Sequence, residues 1–460
     1  MATTESNSQL KKRHIAIIGG GWAGLAAAVE LSRQPDLKVS LYESARQLGG
    51  RARRVPFGKL CVDNGQHLVI GAYKDTLGLI ASLGVDLDSK FLREPLNLNI
   101  RNPFKRQTIK LKAFRLPAPF HLLVALLLCR GFSLYERLRA LQFGARLFMH
   151  AFKFKGDISV DALMQRYKQP ASLVEKFWGP LCIAIMNTPI KQASSHVFLR
   201  VLHDCFRNHN RDADLLYARA DLGSILPDPA TEYIEKKNNT IRLGQRVSGL
   251  EIKGHKLHGL FVDEQLVDAD HVIIATAPHS CHNLITAQPA LAYLDRQMHQ
   301  YHYQPVCTIY LQYPQATSAG HHMLGILGGH AQWLFDRAIY NQPGLMAVVI
   351  SSDGPHMALD NEQLTEQIKK EIALLFPDWP EAEDSLVIRE KRATFHCTLD
   401  INQIRPENKT SVEGLWLAGD YTDTGYPATL EGAVRSGLQC AREIIKTIQA
   451  ETDNEQAAGQ

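Results

Sequence analysis

The amino-acid sequence predicts an α/β fold, in which a Rossmann-like nucleotide-binding domain with a parallel sheet carries an inserted α+β domain. Three observations support this class. Residues 15–18 are an apolar run of strand length, followed directly by closely spaced glycines and a helix-forming run. Residues 415–433 contain a second strand–turn–helix pattern near the other end of the chain. The long stretch between them alternates helical and strand-like segments, as an inserted domain would.

The glycine turn after the first strand has the spacing of a dinucleotide site. Gly19, Gly21 and Gly24 satisfy the G-x-G-x-x-G pattern, with Trp22 and Ala23 inside it. The first glycine turns the chain, the second lets the backbone approach a pyrophosphate, and the third allows close helix–strand packing. The helix that follows directs free N–H groups and its positive dipole end at the phosphates. Alone, the pattern also fits an ordinary strand–helix turn, so the neighbouring sequence must distinguish a dinucleotide site from such a turn.

The second predicted strand supplies that context. Residues 38–42 form another apolar run, which ends in Glu43 with Ser44 beside it. An acidic residue about twenty positions beyond the glycines is where a ribose hydroxyl is bound in such sites. The two strands, the glycine turn and the acidic residue together favour a dinucleotide site over an ordinary turn.

Two further segments distinguish a flavin from a nicotinamide dinucleotide. Gly50 and Arg51 end a turn-rich segment after Glu43, where glycine lets the backbone pass close to a ligand and arginine offers a planar fork for phosphate. A matching turn and helix start stand at the far end of the chain, with candidate contacts at Gly419, Asp420, Glu431, Gly432 and Ala433. A nicotinamide enzyme has no need of that second site, whereas a permanently bound flavin does. FAD is therefore the predicted cofactor.

Composition is that of an ordinary globular protein. The chain has 460 residues, 45% hydrophobic and 21% charged, which is enough for two domains. Its net charge of +4 is too small, and its basic residues too dispersed, to indicate nucleic acid binding. The eight cysteines have no metal-ligand or C-x-x-C spacing. This predicts reduced thiols in a cytoplasmic protein and no metal site.

Segment boundaries follow from these patterns. The polar residues 1–9 and 451–460 are predicted to be flexible termini, and no run reaches the roughly twenty apolar residues needed to span a bilayer. The FAD-binding domain is predicted over residues 10–75, 216–282 and 396–450. A helical, membrane-facing part of the substrate domain is predicted over 76–215, and its sheet over 283–395.

Residues 116–130 are a candidate membrane-surface segment. They contain eight consecutive apolar residues, 122–129, with lysines and arginines on both sides. A short apolar helix rimmed by basic residues can lie in one leaflet and attract anionic headgroups. The same run also fits a buried helix of the substrate domain. We expect the first alternative, with peripheral association at the inner face of the cytoplasmic membrane.

Two segments are candidates for contact with a cofactor or a substrate. Residues 63–67 follow a predicted strand, so their polar side chains can emerge toward the cofactor; a polar turn that satisfies its own backbone is the alternative. Residues 177–188 are dense in apolar and aromatic groups, which fits either a core helix or the wall of an apolar tunnel.

These motifs together resemble the flavin amine oxidase and phytoene desaturase superfamily. The resemblance runs from about residue 13 to residue 445 and is closest to the squalene-associated desaturase subgroup, the hydroxysqualene dehydroxylases of bacterial hopanoid synthesis. The segments that carry it are residues 49–51, 63–73, 177–188, 193–204, 419–420 and 431–433. The FAD-binding motifs show no departure from the superfamily pattern.

The resemblance implies that FADH2 reduces hydroxysqualene, a C30 polyprenyl lipid, to squalene with release of water. Such a reaction needs a proton donor at the hydroxyl group, and a dry tunnel where aromatic faces stabilise a carbocation. The candidate donors are His67 and Asp63. The candidate tunnel aromatics are Phe177, Trp178 and Tyr426.

Roles around the cofactor also follow from the resemblance. Glu43 is expected to hold the adenosine ribose, and the backbone of Val247 to contact the adenine. Asp420 is expected to hold ribityl or pyrophosphate oxygens through its backbone or through water. The helix that starts at Glu431 is expected to direct its N-terminal amides at the flavin pyrimidine edge, where negative charge accumulates on reduction.

Other functions share much of this pattern. A carotenoid-type desaturase would run hydride transfer in the opposite direction in the same fold, and an amine oxidase would act on a smaller, polar substrate. A non-catalytic isoprenoid carrier of this architecture would not need intact flavin contacts. The residues alone indicate neither the direction of hydride transfer nor the electron donor that reduces the flavin.

Overall fold

The computed structural model describes residues 12–458 of the chain. The strands are β1 (Arg13–Ile18), β2 (Leu37–Glu43), β3 (Arg54–Phe57), β4 (Leu60–Asp63), β5 (Val69–Ile70), β6 (Phe91–Glu94), β7 (Asn97–Asn102), β8 (Gln107–Lys112), β9 (Leu215–Ala218), β10 (Thr240–Leu243), β11 (Val247–Lys253), β12 (Lys256–Val262), β13 (Gln265–Asp268), β14 (His271–Ile274), β15 (Tyr303–Gln312), β16 (Met323–Ile326), β17 (Trp333–Asp336), β18 (Leu345–Ser351), β19 (Asp384–Phe395) and β20 (Leu415–Leu417).

The helices alternate with these strands. They are α1 (Trp22–Leu31), α2 (Lys74–Ser82), α3 (Leu87–Lys90), α4 (Phe120–Leu127), α5 (Leu134–Met149), α6 (Val160–Arg166), α7 (Ala171–Leu173), α8 (Gly179–Met186), α9 (Ser195–Phe206), α10 (Leu222–Ile225), α11 (Pro227–Lys236), α12 (Pro278–Ile285), α13 (Ala292–His299), α14 (Asn361–Leu375), α15 (Ile401–Ile404) and α16 (Leu430–Ala458). A π-helical turn, Val174–Trp178, joins α7 to α8.

A five-stranded parallel sheet forms the nucleotide-binding part, in the order β10-β2-β1-β14-β20. Its central strands are buried on both faces, because helices cover them, and so their sequences are almost continuously apolar. The carboxyl ends of β1, β2, β14 and β20 meet at one edge of this sheet. The predicted α/β fold with a Rossmann-like parallel sheet is confirmed.

Helices α1 and α16 pack closely on the parallel sheet. Gly437 of α16 permits this contact, since a Cβ there would lie 2.1 Å from the carbonyl oxygen of Ala23 in α1. The first and last helices of the chain therefore share one core with β1 and β14. Strands β11, β12 and β13 form a separate antiparallel meander.

A seven-stranded sheet forms the second large layer, in the order β19-β15-β18-β17-β16-β7-β8. It combines strands from two separate parts of the chain, since β16 pairs in parallel with β7. Helices α4 to α9 lie between β8 and β9 in the sequence, and their buried faces share a core with the inner face of this sheet. The α+β character predicted for the inserted region is therefore confirmed.

The C-terminal end differs from the sequence-based expectation. The predicted flexible terminus 451–460 is helical as far as Ala458, because α16 continues without a break. Arg13 at the start of β1 forms an ion pair of 2.7 Å with Glu451 and lies 3.6 Å from Glu455, which ties this end to the sheet. The other predicted flexible terminus, residues 1–9, lies outside the described residues. None of the helices within residues 12–458 is both long and apolar enough to cross a bilayer.

Candidate active site

The glycine turn after β1 leaves open space at one of its three glycines. Gly19 has φ of +111°, and a Cβ there would lie 2.8 Å from the carbonyl oxygen of Ala275. At Gly24 a Cβ would lie 2.0 Å from the carbonyl oxygen of Gly19, so α1 starts directly against the turn. At Gly21 a Cβ would meet nothing within 4 Å. The backbone at Gly21 therefore borders a cavity, while the other two glycines serve the packing of the turn.

Glu43 ends β2 at the edge of the same cavity, with Ser44 beside it. Its carboxylate accepts hydrogen bonds from the amides of Gly20 and Ala45, both at 2.7 Å. The hydroxyl of Ser44 donates to the same carboxylate at 3.3 Å. An ionised carboxylate offers about four acceptor positions, so one remains for a ligand hydroxyl. The glycine turn thus fixes the orientation of the acidic side chain predicted to bind a ribose.

The two ends of the chain meet around Arg51. Its guanidinium donates to a carboxylate oxygen of Asp420 at 2.7 Å and to the carbonyl oxygen of Ala393 at 2.8 Å. The buried Arg405 holds the same turn by donating to the backbone carbonyl of Asp420 at 2.8 Å. Arg51 thus joins the N-terminal turn to the C-terminal one with two of its donors, and its expected contact with phosphate remains a prediction.

The side chain of Asp420 is paired within the protein. Its carboxylate pairs with Arg51. Asp420 is 4% exposed, although both residues border the cavity. The neighbouring Gly419 donates its amide to the hydroxyl of Ser436 at 2.9 Å, which holds the C-terminal turn against α16. The expectation that Asp420 binds cofactor oxygens therefore rests on its backbone or on water.

Other predicted contacts at the C-terminal turn have structural partners. Glu431 is fully buried, and its carboxylate accepts from the amides of Asp75 and Thr76 at 3.1 and 2.9 Å, so it caps α2. Gly432 donates its amide to Thr429 at 3.1 Å. Neither of these residues lines the cavity, whereas Ala433 does. The side chain of Glu431 thus joins α16 to α2.

Val247 starts the meander strand β11, where it pairs with Val262, and it is buried. It does not belong to the residues that line the cavity, nor does Gly24. The predicted contact between Val247 and the adenine therefore remains a prediction.

One cavity, with a volume of about 1660 Å³, extends from the two turns into the helical region. Pockets for single small ligands have volumes of roughly 300–1,000 Å³, so this space exceeds what one small molecule needs. Beyond the turns its walls are mainly aliphatic and aromatic, from α4, α5, α8, α9 and the inner face of the seven-stranded sheet. The cavity thus has a polar end at the parallel sheet and a long apolar end.

The three predicted tunnel aromatics all line this cavity. Phe177 and Trp178 belong to the π-helical turn, and their ring centroids lie 4.9 Å apart in an edge-on arrangement. The indole of Trp178 donates to Gln169 at 3.1 Å, and the hydroxyl of Tyr426 donates to the carboxylate of Asp204. The polar groups of Trp178 and Tyr426 therefore have partners within the protein and do not need a ligand. The guanidinium of Arg435 lies 4.3 Å from the ring centroid of Tyr426, so Phe177 and Trp178 offer the freer ring surfaces.

His67 borders the polar end of the cavity. Its Nδ1 contacts the carbonyl oxygen of Gly65 at 2.7 Å, so Nδ1 carries the proton and Nε2 is left for a ligand. Its accessible surface faces the cavity rather than bulk solvent. Burial lowers the pKa of His67; the hydrogen bond to Gly65 opposes this, and the nearby charge of Arg51 lowers the pKa further. The imidazole is therefore predominantly neutral at pH 7.

Asp63 does not emerge into the cavity, contrary to expectation. Its carboxylate accepts from the amide of Leu222 at 2.9 Å and lies 3.9 Å from the guanidinium of the fully buried Arg337. Burial raises the pKa of Asp63 to about 6, although Arg337 opposes this shift. The side chain at the end of β4 thus faces the opposite side of the strand, and the four following residues, 64–67, line the cavity instead.

Two further polar side chains line the cavity: Gln66, from the predicted polar segment 63–67, and Asn187, for which no polar role was predicted. Gln66 is held by Arg337 at 2.7 Å and by the hydroxyl of Tyr340 at 2.9 Å. Asn187 ends α8 with φ of 48° and donates to Thr394 at 2.9 Å. An asparagine directly after an apolar helix is the only local signal for such a cap, because the partners lie on distant strands.

A metal-type cluster lies outside the cavity. His282, Asp295 and His299 on α12 and α13 place one potential ligand atom each within 4.8 Å of one another. None of the three lines the cavity. The cluster therefore has no part in the chemistry of this site.

Comparison with known proteins identifies the family of this chain. The family described as flavin containing amine oxidoreductase matches residues 22–445. The chain belongs to this family. Its members carry a flavin, and the polar end of the cavity fits one, because the backbone at Gly21 is open and Glu43 has a free acceptor position. In addition, Trp22 Nε1 and Thr276 Oγ1 line the cavity without a hydrogen-bond partner among residues 12–458.

Two similar proteins within this flavin oxidoreductase family are hydroxysqualene dehydroxylases. The protein of Zymomonas mobilis is 28% identical, with 92% of this chain and 97% of the relative covered. The protein of Rhodopseudomonas palustris is 28% identical, with 94% and 98% covered. An oxidoreductase structure from Methanosarcina mazei has a TM-score of 0.73 at 16% identity, covering 94% of this chain and all (100%) of that chain. At that identity the structural match shows the fold alone.

Proposed function

We propose that this flavin oxidoreductase uses FAD to reduce hydroxysqualene to squalene, in squalene and hopanoid biosynthesis. The observation that carries the proposal is the single cavity of about 1660 Å³, which joins a dinucleotide-type glycine turn to a long apolar chamber. A C30 polyprenyl lipid needs such a chamber, whereas a small amine does not. Similarity to two hydroxysqualene dehydroxylases over more than nine-tenths of the chain supports the same reaction.

FAD, rather than a mononucleotide flavin, is favoured by the extent of the polar end. Gly21 provides a backbone approach for a pyrophosphate, and Glu43 provides an acceptor for the adenosine ribose beyond it. The turn that contains Gly419 and Asp420 borders the same cavity from the other side. A mononucleotide would leave Glu43 without a ligand.

The reaction requires that the C–O bond of hydroxysqualene break with transfer of a proton, so that water leaves. Reduced flavin supplies the hydride that completes squalene. The protein must then keep water from the short-lived carbocation. The apolar walls of the chamber exclude water, and the aromatic faces of Phe177 and Trp178 are placed to stabilise positive charge.

His67 is the proposed proton donor. It is the histidine of the polar loop 64–67 that faces the cavity, and its Nε2 is directed to a ligand by the Nδ1 contact with Gly65. To donate, the ring must first gain a proton, which burial disfavours. Asp63 is not retained as a donor, because its carboxylate faces Leu222 and Arg337.

Peripheral membrane association through residues 116–130 is also proposed, at the inner face of the cytoplasmic membrane. Helix α4 exposes Phe120 and Leu128 at its two ends, 57% and 61% accessible. The same helix lines the apolar end of the cavity with Leu122 and Leu126. A helix that is apolar both outward and toward the tunnel fits a lipid that passes from a bilayer into the protein.

The proposal also divides the chain into two domains, according to the segments that form each large sheet. The parallel sheet draws its strands from residues 10–75, 216–282 and 396–450, which supports one FAD-binding domain made of three pieces. The seven-stranded sheet and the helices α4 to α9 come from residues 76–215 and 283–395, which supports one substrate domain made of two.

Two incubations test the direction of hydride transfer. The chemically reduced protein is incubated with hydroxysqualene, and the oxidised protein with phytoene, and the lipid products are identified. Squalene in the first incubation and unchanged phytoene in the second support the proposal. Desaturated phytoene without squalene would instead indicate a desaturase. A purified protein without a flavin spectrum and without turnover would indicate a lipid carrier.

A further inference from the structure

A second cavity, with a volume of about 580 Å³, lies beside the start of α4. It is formed by β6, by the segment before α4, and by residues between α9 and α10. Its volume is within the roughly 300–1,000 Å³ of small-ligand pockets. In contrast to the main cavity, it is lined largely by charged side chains.

Positive charge predominates in this arginine pocket. Four arginines and two aspartates line it, which gives an excess of two positive charges. The charged residues are Arg93, Arg115, Arg211, Arg219, Asp88 and Asp214. Nε of Arg93 and Nε of Arg211 lie 3.9 and 4.0 Å from a carboxylate oxygen of Asp214, beyond hydrogen-bond distance. None of the four guanidinium groups forms a side-chain hydrogen bond with residues 12–458, so their donors are available to a ligand.

A buried histidine faces the same pocket. His121, the second residue of α4, is 1% exposed, and neither of its ring nitrogens has a partner with good hydrogen-bond geometry in the described part of the chain. Burial lowers the pKa of the ring, and contact with the backbone of Pro117 opposes this shift. That contact can occupy one ring nitrogen, so at least one remains without a partner. Buried polar groups without a partner are rare in folded proteins, since each one costs desolvation free energy. Together with the arginine donors, His121 points to a ligand with several acceptor oxygens.

We propose that the arginine pocket binds the phosphate of an anionic phospholipid headgroup. Arginine forks match the oxygens of a phosphate group, and a neutral or protonated histidine adds a further donor. The position of the pocket beside α4 indicates that the phosphate belongs to a lipid headgroup. Phe114 lines the pocket and is 40% exposed, and Phe120 stands beside His121 on α4 with its ring in solvent. A phosphate in this pocket would therefore lie at headgroup depth when the apolar residues of α4 enter a bilayer.

This inference rests on the membrane association proposed above, and not on the reaction assigned to the main cavity. A headgroup site formed by specific side chains differs from general attraction between a basic surface and an anionic membrane. General attraction depends on the number of charges, whereas binding at a specific site depends on which arginines are present.

Vesicle flotation of the flavin-loaded full chain tests the proposal. The probes are vesicles of phosphatidylcholine alone and vesicles that also contain phosphatidylglycerol. The variant Arg93→Gln/Arg219→Gln removes two pocket cations, and the matched control Arg106→Gln/Arg130→Gln removes two cations that flank α4 outside the pocket. We expect the pocket variant to lose about tenfold more affinity for anionic vesicles than the control, because charge-assisted hydrogen bonds are lost as well. Equal losses in the two variants would overturn the proposal.

A second variant and a soluble probe complete the test. His121→Phe keeps a buried ring but removes both nitrogens, so it too should weaken binding to anionic vesicles while the flavin spectrum stays unchanged. Unchanged vesicle binding by this variant would contradict a role of His121. Titration with inorganic phosphate separates the two sources of a phosphate group. Tight phosphate binding that is lost in the pocket variant, without a difference on vesicles, would assign the pocket to a free anion and overturn the lipid headgroup.

Discussion

Arg51 donates a hydrogen bond of 2.7 Å to Asp420, 369 positions away in the sequence. The pair joins the turn after β2 to the turn after β20, at the edge of the parallel sheet where both border the cavity. Arg51 also donates to the carbonyl oxygen of Ala393 at the end of β19, in the seven-stranded sheet. One side chain thus connects three separate parts of the chain around the proposed flavin.

A double-mutant cycle measures this connection. Arg51→Gln and Asp420→Asn each remove one charge, and the free energy of unfolding is measured in urea for the two single variants and the double variant. We expect a coupling of about 1–2 kcal/mol, below the upper range for charged hydrogen bonds because the side chain of Arg51 is partly exposed. Losses that add within about 0.5 kcal/mol would mean that the two residues do not act as a pair.

Gly21→Val tests the approach of the cofactor without disturbing the fold. A Cβ at Gly21 meets nothing within 4 Å in the protein, so the variant should fold and unfold at the temperature of the parent apoprotein. It should purify colourless, since the added side chain occupies the space expected for the pyrophosphate. Gly78→Val in α2, where a Cβ also meets nothing within 4 Å, is the matched control and should stay yellow. A fully yellow Gly21→Val protein would contradict the binding site.

The role of His67 predicts a specific pH dependence. Burial lowers the pKa of His67 below its ordinary 6.5, so the protonated fraction is small at pH 8 and grows as the pH falls through that lowered value. If the ring donates the proton, kcat/KM should rise as the pH falls from 8 toward 5. His67→Gln should lose about 10²–10⁴-fold in kcat, the contribution of a general acid, and should flatten the profile. A parent profile that is flat over this range would remove the assignment.

Asp63→Asn provides the complementary variant. The carboxylate of Asp63 lies away from the cavity and faces Arg337, so its replacement should lower stability rather than chemistry. We expect a reduced melting temperature and a kcat loss well short of the 10²-fold expected for a proton donor. A folded Asp63→Asn protein whose kcat falls as far as that of His67→Gln would reinstate Asp63 as the donor.

Exposed apolar residues of α4 should control access of the lipid substrate. Phe120→Ser/Leu128→Ser should lower turnover of hydroxysqualene held in vesicles, but not of hydroxysqualene dispersed in detergent. Leu243→Ser/Leu266→Ser alters two leucines that are also exposed, 45% and 47%, but lie on β10 and β13, far from α4 in the sequence. This control should leave both activities unchanged. Equal turnover of vesicle-held substrate by the α4 variant and the parent would contradict membrane access through α4.

Local sequence patterns predicted the elements well where one interaction dominates. The buried strand 15–18, the glycine turn and the helix directly after it follow from apolar patterns and from backbone rules that act over a few residues. The long-range partner of Arg51 could not be predicted, since a guanidinium fits a phosphate as well as a carboxylate. The predicted orientation of Asp63 was wrong. Successive residues at a strand end point to opposite faces, and the sequence does not show which face borders the cavity.

The arginine pocket had no sequence signal at all. Its four arginines are spread from position 93 to position 219, and tertiary contacts such as the pairing of β6 with β9, which brings Arg93 near Arg219, assemble them. The same holds for the continuous helix at the C-terminal end, where polar residues suggested fraying. Its last turns are held by Arg13 at the opposite end of the chain.

Anaerobic single turnover tests the central claim most directly. The flavin is photoreduced in the purified protein, hydroxysqualene is added in the absence of oxygen, and the absorbance and the extracted lipid are followed together. We predict that the oxidised flavin spectrum returns as one squalene is formed per flavin. A spectrum that stays reduced, with hydroxysqualene recovered unchanged, would contradict the proposed function.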